Sequence, residues 1–168
     1  MAAATQISVT EYLNTTYRPD RDYVDGEVLE RNLGEYEHSR PQGMLYAYLF
    51  NREKEWLIRV VPEQRVQVKP TRFRIPDVSV VLEGSPVQSI FRHPPFLCIE
   101  ILSKDDSFAS IVERLDDYLA MGVANIWVIE PHTRRGYSYN SYGFAETKDG
   151  ILRTSNPDLA VPLNALFD

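Results

Sequence analysis

The chain has 168 residues, of which 43% are hydrophobic and 25% charged, as in an ordinary soluble globular domain. Its formal net charge of −6 argues against a protein that coats nucleic acid through overall positive charge. A single cysteine excludes an internal disulfide, and no segment approaches the roughly 20 consecutive apolar residues of a membrane span. Residues 1–6 lack the features of a secretory signal. We therefore expect one cytoplasmic domain over residues 1–168, without membrane association.

The first third of the chain predicts two helices and a hairpin. Ser8-Val9-Thr10-Glu11 has capping-box form and predicts a short helix that starts at Ser8. Asp25-Gly26 lies between two short strand-like runs, which predicts a tight hairpin turn. A second capping box, Ser39-Arg40-Pro41-Gln42, predicts a longer helix whose apolar residues continue at roughly helical spacing to Trp56.

The rest of the chain predicts a sheet with one more helix. Strand-like runs lie near residues 57–61, 64–68, 73–82, 96–102 and 126–129. Apolar residues at helical spacing predict a helix over about 107–121, which Gly122 is suited to end. Strand, helix and strand over 96–129 form a βαβ unit, so its two strands should be parallel. Alternating tyrosines after Gly136 predict an edge hairpin. These elements together predict an α/β fold.

Two acidic residues lie in strand-like apolar runs. Asp77 follows Pro76 in the run over 75–81, and Glu100 lies within the most apolar run of the chain, 96–102. A buried, isolated carboxylate costs several kcal/mol unless a cation or a hydrogen-bond network receives it. If the two strands are neighbours, both carboxylates can project from one end of the sheet and bind Mg²⁺ or Mn²⁺. The alternative is a buried ion pair, for instance with Arg114 or His38.

Four basic residues stand just before Asp77 in the sequence, namely Arg65, Lys69, Arg72 and Arg74. They can form a local surface that contacts the phosphates of nucleic acid in spite of the negative net charge. The alternative is that they are solvated residues at the edges of two strands.

Several of these residues, taken in their order along the chain, resemble a known pattern. The resemblance rests on Asp25-Gly26-Glu27, His38, Arg74-Ile75-Pro76-Asp77-Val78, Ile99-Glu100-Ile101-Leu102-Ser103, Tyr118, Gly122-Val123 and Ile126-Trp127-Val128-Ile129-Glu130-Pro131. The chain resembles the PD-(D/E)XK nuclease superfamily, and within it the Uma-type restriction endonuclease family. The resemblance implies a restriction-endonuclease-like fold, in which a mixed central sheet is flanked by helices. It also implies Mg²⁺ or Mn²⁺ held by Asp77 and Glu100, and phosphodiester hydrolysis with DNA as the partner.

The chain departs from the superfamily pattern at its lysine. The superfamily often has a lysine two residues after the glutamate, where this chain has Leu102. The Uma-type branch instead has a lysine four residues before the helix tyrosine, where this chain has Arg114. Helical geometry places Arg114 at the margin of the apolar stripe, within reach of the acids, and Asp117 nearly opposite the stripe, where we expect it to be solvated. An arginine can stabilise a phosphate but is a poor base.

Two other residues are candidates for the catalytic site. Lys104 is a second cation close to Glu100 in sequence, and the resemblance gives His38 a role at the site, orienting water or contacting a phosphate. A histidine near a helix start can instead be a cap or a core hydrogen-bonding residue. Glu35 and Glu37 precede it and can supply a further carboxylate, or they can form an acidic loop.

These residues support three hypotheses about function. The first is a Mg²⁺-dependent DNA endonuclease that uses Asp77 and Glu100 with help from Arg114. The second is a catalytically impaired domain of the same fold that binds nucleic acid. The third is an α/β interaction protein that forms a homodimer through exposed sheet edges.

Overall fold

The computed structural model describes residues 5–31 and 34–168, which form four α-helices, one 3₁₀-helix and twelve strands. The helices are α1 (Val9–Leu13), α2 (Tyr36–Phe50), α3 (Glu53–Trp56), α4 (Phe108–Met121) and the 3₁₀-helix Leu163–Ala165. The first six strands are β1 (Asp22–Val24), β2 (Glu27–Leu29), β3 (Ile58–Pro62), β4 (Val66–Lys69), β5 (Arg72–Arg74) and β6 (Val78–Leu82). The last six are β7 (Leu97–Ile101), β8 (Asn125–Glu130), β9 (Arg135–Asn140), β10 (Gly143–Glu146), β11 (Ile151–Arg153) and β12 (Ala160–Pro162).

The centre of the structure is a six-stranded sheet in the order β10-β9-β8-β7-β6-β3. Strands β7 and β8 are parallel and the other pairs are antiparallel, which confirms the βαβ unit and the mixed sheet. Leu45 and Leu49 of α2 pack on one face of this sheet, and Ile111 and Leu115 of α4 pack on the other. Because β7 is covered on both sides, all five of its residues are buried. The predicted mixed α/β architecture is confirmed.

A smaller four-stranded sheet, in the order β2-β1-β5-β4, lies beside the central one. The prediction of one strand over residues 73–82 is wrong, because the chain leaves the small sheet after Arg74 and enters the central sheet at Val78. Pro76 lies between the two strands, and proline cannot donate to a strand ladder. Asp77 therefore lies immediately before β6 instead of inside a strand.

The starts of the two N-terminal helices differ in how well the sequence predicts them. The Ser8 side chain accepts a hydrogen bond from Glu11 N, as the capping box predicts for α1. The prediction that the second helix begins at Ser39 is wrong, because α2 begins at Tyr36 and Pro41 lies inside it. Its N-cap, Glu35, makes no side-chain capping bond, so the sequence contains no capping signal at the true start.

Several local predictions are confirmed. The hairpin β1–β2 turns at Asp25 and Gly26, whose φ angles are +49° and +103°, as a tight turn between twisted strands requires. Helix α4 ends at Gly122, and β9 and β10 form the predicted hairpin. The strands β11 and β12 were not predicted, and their Leu152 and Val161 extend the core on the α2 side. In the described ranges, no helix has the length and apolarity needed to cross a bilayer.

Candidate functional site

Asp77 and Glu100 lie next to each other at one end of the central sheet. The antiparallel register of β6 and β7 pairs Val78 with Ile99, so its continuation by one residue places Asp77 opposite Glu100. The Asp77 Oδ2 atom accepts a hydrogen bond of 2.7 Å from the backbone N–H of Ile101, the residue after Glu100. Both carboxylates are buried. The predicted juxtaposition of the two acids therefore depends on direct pairing of their strands.

The carboxylate of Asp77 is held by three donors. Besides Ile101, Arg31 Nη2 lies 3.1 Å from Oδ1, and His38 Nε2 lies 3.2 Å from Oδ2. Burial disfavours a charged imidazole, but the hydrogen bond and charge of Asp77, with the charge of Glu100, outweigh burial and raise the pKa of His38. His38 thus lies at the site and contacts one of the two acids directly.

Glu100 has a buried side chain and a strongly perturbed acidity. Tyr118 donates a hydrogen bond of 2.5 Å to Oε1, and Arg114 Nη1 lies 3.1 Å from Oε2. Burial raises the pKa of Glu100 to about 7; the charge of Arg114 opposes this, and the charge of Asp77 adds to it. The same contact with Glu100, together with Asp22, outweighs burial and raises the pKa of Arg114, which keeps its guanidinium charged. Arg114 reaches the acids from α4, where helical geometry placed it.

A third acid, Asp22 of β1, adjoins the pair and was not identified from the sequence. Its Oδ2 atom lies 3.7 Å from Arg114 Nε and 3.4 Å from Arg74 Nη1, and its Oδ1 accepts from Ile75 N at 3.2 Å. Burial raises the pKa of Asp22, although Arg114, Arg74 and Arg31 oppose it. Asp22 stands at the start of β1 between Asp20 and Asp25, so the sequence does not distinguish it from the exposed acids of the hairpin.

Arg31 is the second site residue that was not identified from the sequence. Among the described residues, neither Arg31 Nη1 nor Arg114 Nε has a hydrogen-bond acceptor, although both atoms are buried. Carboxylates lie nearby at 3.9 Å (Glu63) and 3.7 Å (Asp22). Arg31 follows the β1–β2 hairpin in a polar stretch, where no periodic pattern distinguishes it from a surface residue. The two arginines and His38 together face three buried acids.

Lys104 lies at the margin of the site. Its Nζ atom forms a 2.7 Å ion pair with Glu35, and its side chain is mostly exposed. A cavity of about 370 Å³ is lined by Glu35, Glu37, His38, Leu102, Ser103, Lys104, Pro131 and His132. Lys104 and the two glutamates thus border the cavity that His38 adjoins, and their expected catalytic or metal-binding roles stay predictions.

The four basic residues before Asp77 are engaged with acids of this chain. Arg65 pairs with Asp20, and Arg72 pairs with Asp25 and Asp117. Lys69 Nζ lies 3.4 Å from Asp117, with its side chain about half exposed. Arg74 is only 2% exposed and pairs with Asp117 at 2.8 Å, so it is not a surface residue. Contact of DNA with Arg65, Lys69 and Arg72 stays a prediction; a contact with Arg74 would require it to leave this buried pair.

The prediction that Asp117 is solvated is wrong. It is buried because β4 and β5 of the small sheet cover the side of α4 opposite the apolar stripe. Its carboxylate receives Arg72, Arg74 and Lys69 from these strands, which compensates for its burial.

The chemistry of the two site acids fits a hard divalent cation. Mg²⁺ is commonly bound by one or two carboxylates, with water and phosphate oxygens at the other positions. A carboxylate offers about four lone-pair positions; donors from the described residues take three on Asp77 and two on Glu100. No group of three or more His, Cys, Asp or Glu side chains is arranged to hold a metal within ranges 5–31 and 34–168. The site thus fits an ion held by two carboxylates and otherwise by water or substrate.

Comparisons with known proteins give the family and the fold of this chain. The family profile described as "Uma2: Putative restriction endonuclease" matches residues 10–148. A crystal structure from Anabaena variabilis, described as a putative nuclease belonging to DUF820, superimposes with a TM-score of 0.81 at 22% sequence identity. The match covers 96% of this chain and 97% of the other, and it shows that the two share a fold. No protein with a curated description matches the sequence.

Proposed function

Because this chain belongs to the Uma2 family of putative restriction endonucleases, we propose that it is a DNA endonuclease that requires Mg²⁺ or Mn²⁺. The observation that carries the proposal is the pair of buried carboxylates, Asp77 and Glu100, placed opposite each other at the end of β6 and β7. Burying two carboxylates side by side costs folding free energy unless cations compensate the charges. Carboxylates with such perturbed environments are frequently found at functional sites.

In this proposal Asp77 and Glu100 would hold the cation between two carboxylates that other residues fix in position. Ile101 N and His38 fix Asp77, and Tyr118 fixes one oxygen of Glu100, so neither carboxylate has to be ordered when the ion binds. When bound, the ion polarises a phosphoryl oxygen and lowers the pKa of an attacking water. The water loses one proton to solvent as its oxygen forms a bond to phosphorus, the ester P–O bond breaks, and the leaving oxygen takes up a proton from solvent.

The two arginines supply positive charge to the phosphodiester. Arg114 is 21% exposed along its side chain and contacts Glu100, so its outer end can reach a phosphate bound next to the acids. Arg31 stands on the Asp77 side and keeps one buried N–H group without an acceptor among the described residues. Charged donors placed where negative charge develops are a large source of catalysis in such reactions. Neither guanidinium is a useful base, because both pKa values are raised.

The test is cleavage of DNA by purified protein in Mg²⁺, in Mn²⁺ and in EDTA. Supercoiled plasmid, linear duplex and single-stranded oligonucleotides serve as substrates. We expect cleavage with either metal, none in EDTA, and loss of cleavage in Asp77→Asn and Glu100→Gln. Asp116→Asn is the control, since Asp116 is an acid of α4 that contacts Tyr139 instead of the site. Cleavage that persists unchanged in both site variants would contradict the assignment.

A second candidate function is DNA binding without turnover. The observation that favours it is the Arg114–Glu100 ion pair, which puts a poor base at the position of the branch lysine. This candidate expects metal-independent binding that weakens steeply with salt through Arg65, Lys69 and Arg72. Cleavage that appears only in Arg114→Lys would support it over the first proposal.

A further inference from the structure

A second, larger cavity lies beside the candidate site, between α4 and the strands β8–β10. Its volume is about 460 Å³, and its lining consists of Leu102, Ser103, Asp106, Ser107, Phe108, Ile111, Val128, Glu130, Tyr137 and Phe144. Leu102 and Ser103 also line the cavity that contains His38. The two cavities therefore meet at the segment that follows Glu100. We call the larger one the aromatic cavity.

The aromatic cavity offers flat apolar surfaces at its opening. Phe108, in the first turn of α4, is 75% exposed, and its ring centroid lies 5.9 Å from that of Phe144. Tyr137 meets Phe144 edge to face at 6.1 Å, while the buried Ile111 and Val128 belong to the core below. An exposed phenylalanine contributes little to the stability of the fold, and its face is open to a planar ligand.

The charges around the aromatic cavity restrict what it can bind. Asp106 and Glu130 contribute carboxylates to the lining. Asp106 Oδ2 accepts hydrogen bonds from Ser103, and Glu130 accepts from the backbone of His132 and Thr133. Carboxylates repel phosphates but accept hydrogen bonds from the amino groups of bases. A neutral aromatic ring that carries an amino group fits this lining better than an anion does.

The aromatic cavity lies close to the place where the cleaved bond would be held. Leu102 is two residues beyond Glu100, which corresponds to about 7 Å along an extended strand. A nucleotide whose phosphate is held at Asp77 and Glu100 therefore has its neighbours within reach of this cavity. A base inside a duplex would have to leave its stack to enter, whereas an unpaired base pays little for this.

We propose that the aromatic cavity receives an unpaired nucleobase next to the cleaved bond, so that the substrate is DNA with unpaired nucleotides instead of fully paired duplex. The proposal rests on the proposed function, since it places the phosphate at Asp77 and Glu100. The base stacks on Phe108 and Phe144, and its amino group faces the carboxylates of the lining. Base stacking on exposed aromatic rings is a common means of holding single-stranded nucleic acid.

The first experiment measures binding without cleavage. Glu100→Gln protein in EDTA is titrated into two oligonucleotide duplexes, one with a single unpaired 2-aminopurine and one fully paired, and fluorescence and anisotropy are followed. We expect the bulged duplex to bind at least about 10-fold more tightly than the paired one. Stacking of a single base on an aromatic ring can supply a preference of this size. Phe108→Ala and Phe144→Ala, each in the same background, should remove this preference and the change in 2-aminopurine fluorescence.

Tyr142→Ala is the matched control, because Tyr142 is a 98% exposed aromatic residue at the turn of the same β9–β10 hairpin but does not line the aromatic cavity. It should keep the preference for the bulged duplex. Circular dichroism checks that each variant is folded, and the exposure of Phe108 makes its replacement the least disruptive. Equal binding of both duplexes, or equal effects of Phe108→Ala and Tyr142→Ala, would overturn the inference.

The second experiment measures cleavage by protein with an intact Glu100 in Mn²⁺, and it separates this inference from the proposed function. We expect cuts close to the unpaired base and slower cutting of the paired duplex, with the difference lost in Phe108→Ala. Binding selectivity without any cleavage would refute the endonuclease activity and leave the base site standing. Metal-dependent cleavage that is equally fast on paired and bulged duplexes would support the endonuclease activity and refute the base site.

Discussion

Replacing Glu100 by glutamine is expected to remove a large part of the pH dependence of folding stability in the absence of metal. Burial raises the pKa of Glu100 in the folded protein to about 7, against an ordinary value of 4.5. As the pH rises from 4.5 towards 7, the unfolded chain loses this proton while the folded protein still holds it. The free energy of unfolding therefore falls over this range, and the stabilisation is fully present only below pH 4.5.

The size of the effect follows from the two pKa values. Their difference corresponds to about 3 kcal/mol between pH 4.5 and pH 7, a large share of the stability of a small domain. The raised pKa values of His38 and Asp22 act in the same direction. Both groups remain in Glu100→Gln, but the charge of Glu100 is one cause of the raised pKa of His38, so the difference between the two profiles reports Glu100 together with its coupling to His38.

The assay is urea unfolding in EDTA at a series of pH values from 4.5 to 8, with each free energy obtained by linear extrapolation. The part of the stability change that does not depend on the charge of residue 100 is the same at every pH, so the slope is the quantity to compare. Glu146→Gln, at a half-exposed ion pair with Arg135, is the control and should keep the original slope. Parallel profiles for the original protein and Glu100→Gln would refute the argument that burial controls this carboxyl.

Three further predictions concern the cations around the acids. Arg74→Met should destabilise the fold by about 3–5 kcal/mol in urea unfolding, because it leaves Asp22 and Asp117 buried without this partner; a loss below about 1 kcal/mol would contradict this reasoning. At pH 8, Mn²⁺ at 100 times its dissociation constant should stabilise the original protein by about 2.7 kcal/mol and Asp77→Asn by much less. Thermal shifts measure both, and equal shifts would place the ion elsewhere. Arg31→Ala should lower kcat for DNA cleavage by about 100-fold, as loss of one charged donor to a developing negative charge does. Arg135→Ala, at an exposed ion pair, should leave kcat unchanged, and an equal loss in both variants would remove Arg31 from the site.

The burial of Glu100 and the position of Arg114 could be predicted because each depends on a short stretch of sequence. Glu100 is a single carboxylate in a run that is apolar on both alternations, so its burial follows from the strand itself. Arg114 lies at the margin of the α4 stripe, so once the stripe packs on the sheet its long side chain can reach Glu100. Neither prediction needed knowledge of how distant elements pack.

The predictions that failed involve contacts between distant elements. Asp117 lies opposite the apolar stripe of α4. Periodicity indicates only the face of the helix that meets the central sheet. Here residues of the small sheet cover Asp117, and Arg74 pairs with its carboxylate. Asp22 and Arg31 reach the site from the β1 strand and the segment after the hairpin, more than 40 residues before Asp77 in the chain. The start of α2 was misplaced because Glu35 provides no side-chain cap.

The sequence by itself determined the βαβ unit and the apolar run that buries Glu100, because hydrophobic periodicity and turn residues act over a few neighbouring positions. The mixed sheet was expected from the family resemblance instead. Only the tertiary structure decided which charges surround those acids. Arg31, His38 and Arg114 come from three separate elements, and the cost of burying a carboxylate is met by whichever cations the packing brings close. The placement of the small sheet against α4 likewise decided that Arg74 is a buried partner of Asp117, since that depends on layers far apart in the chain.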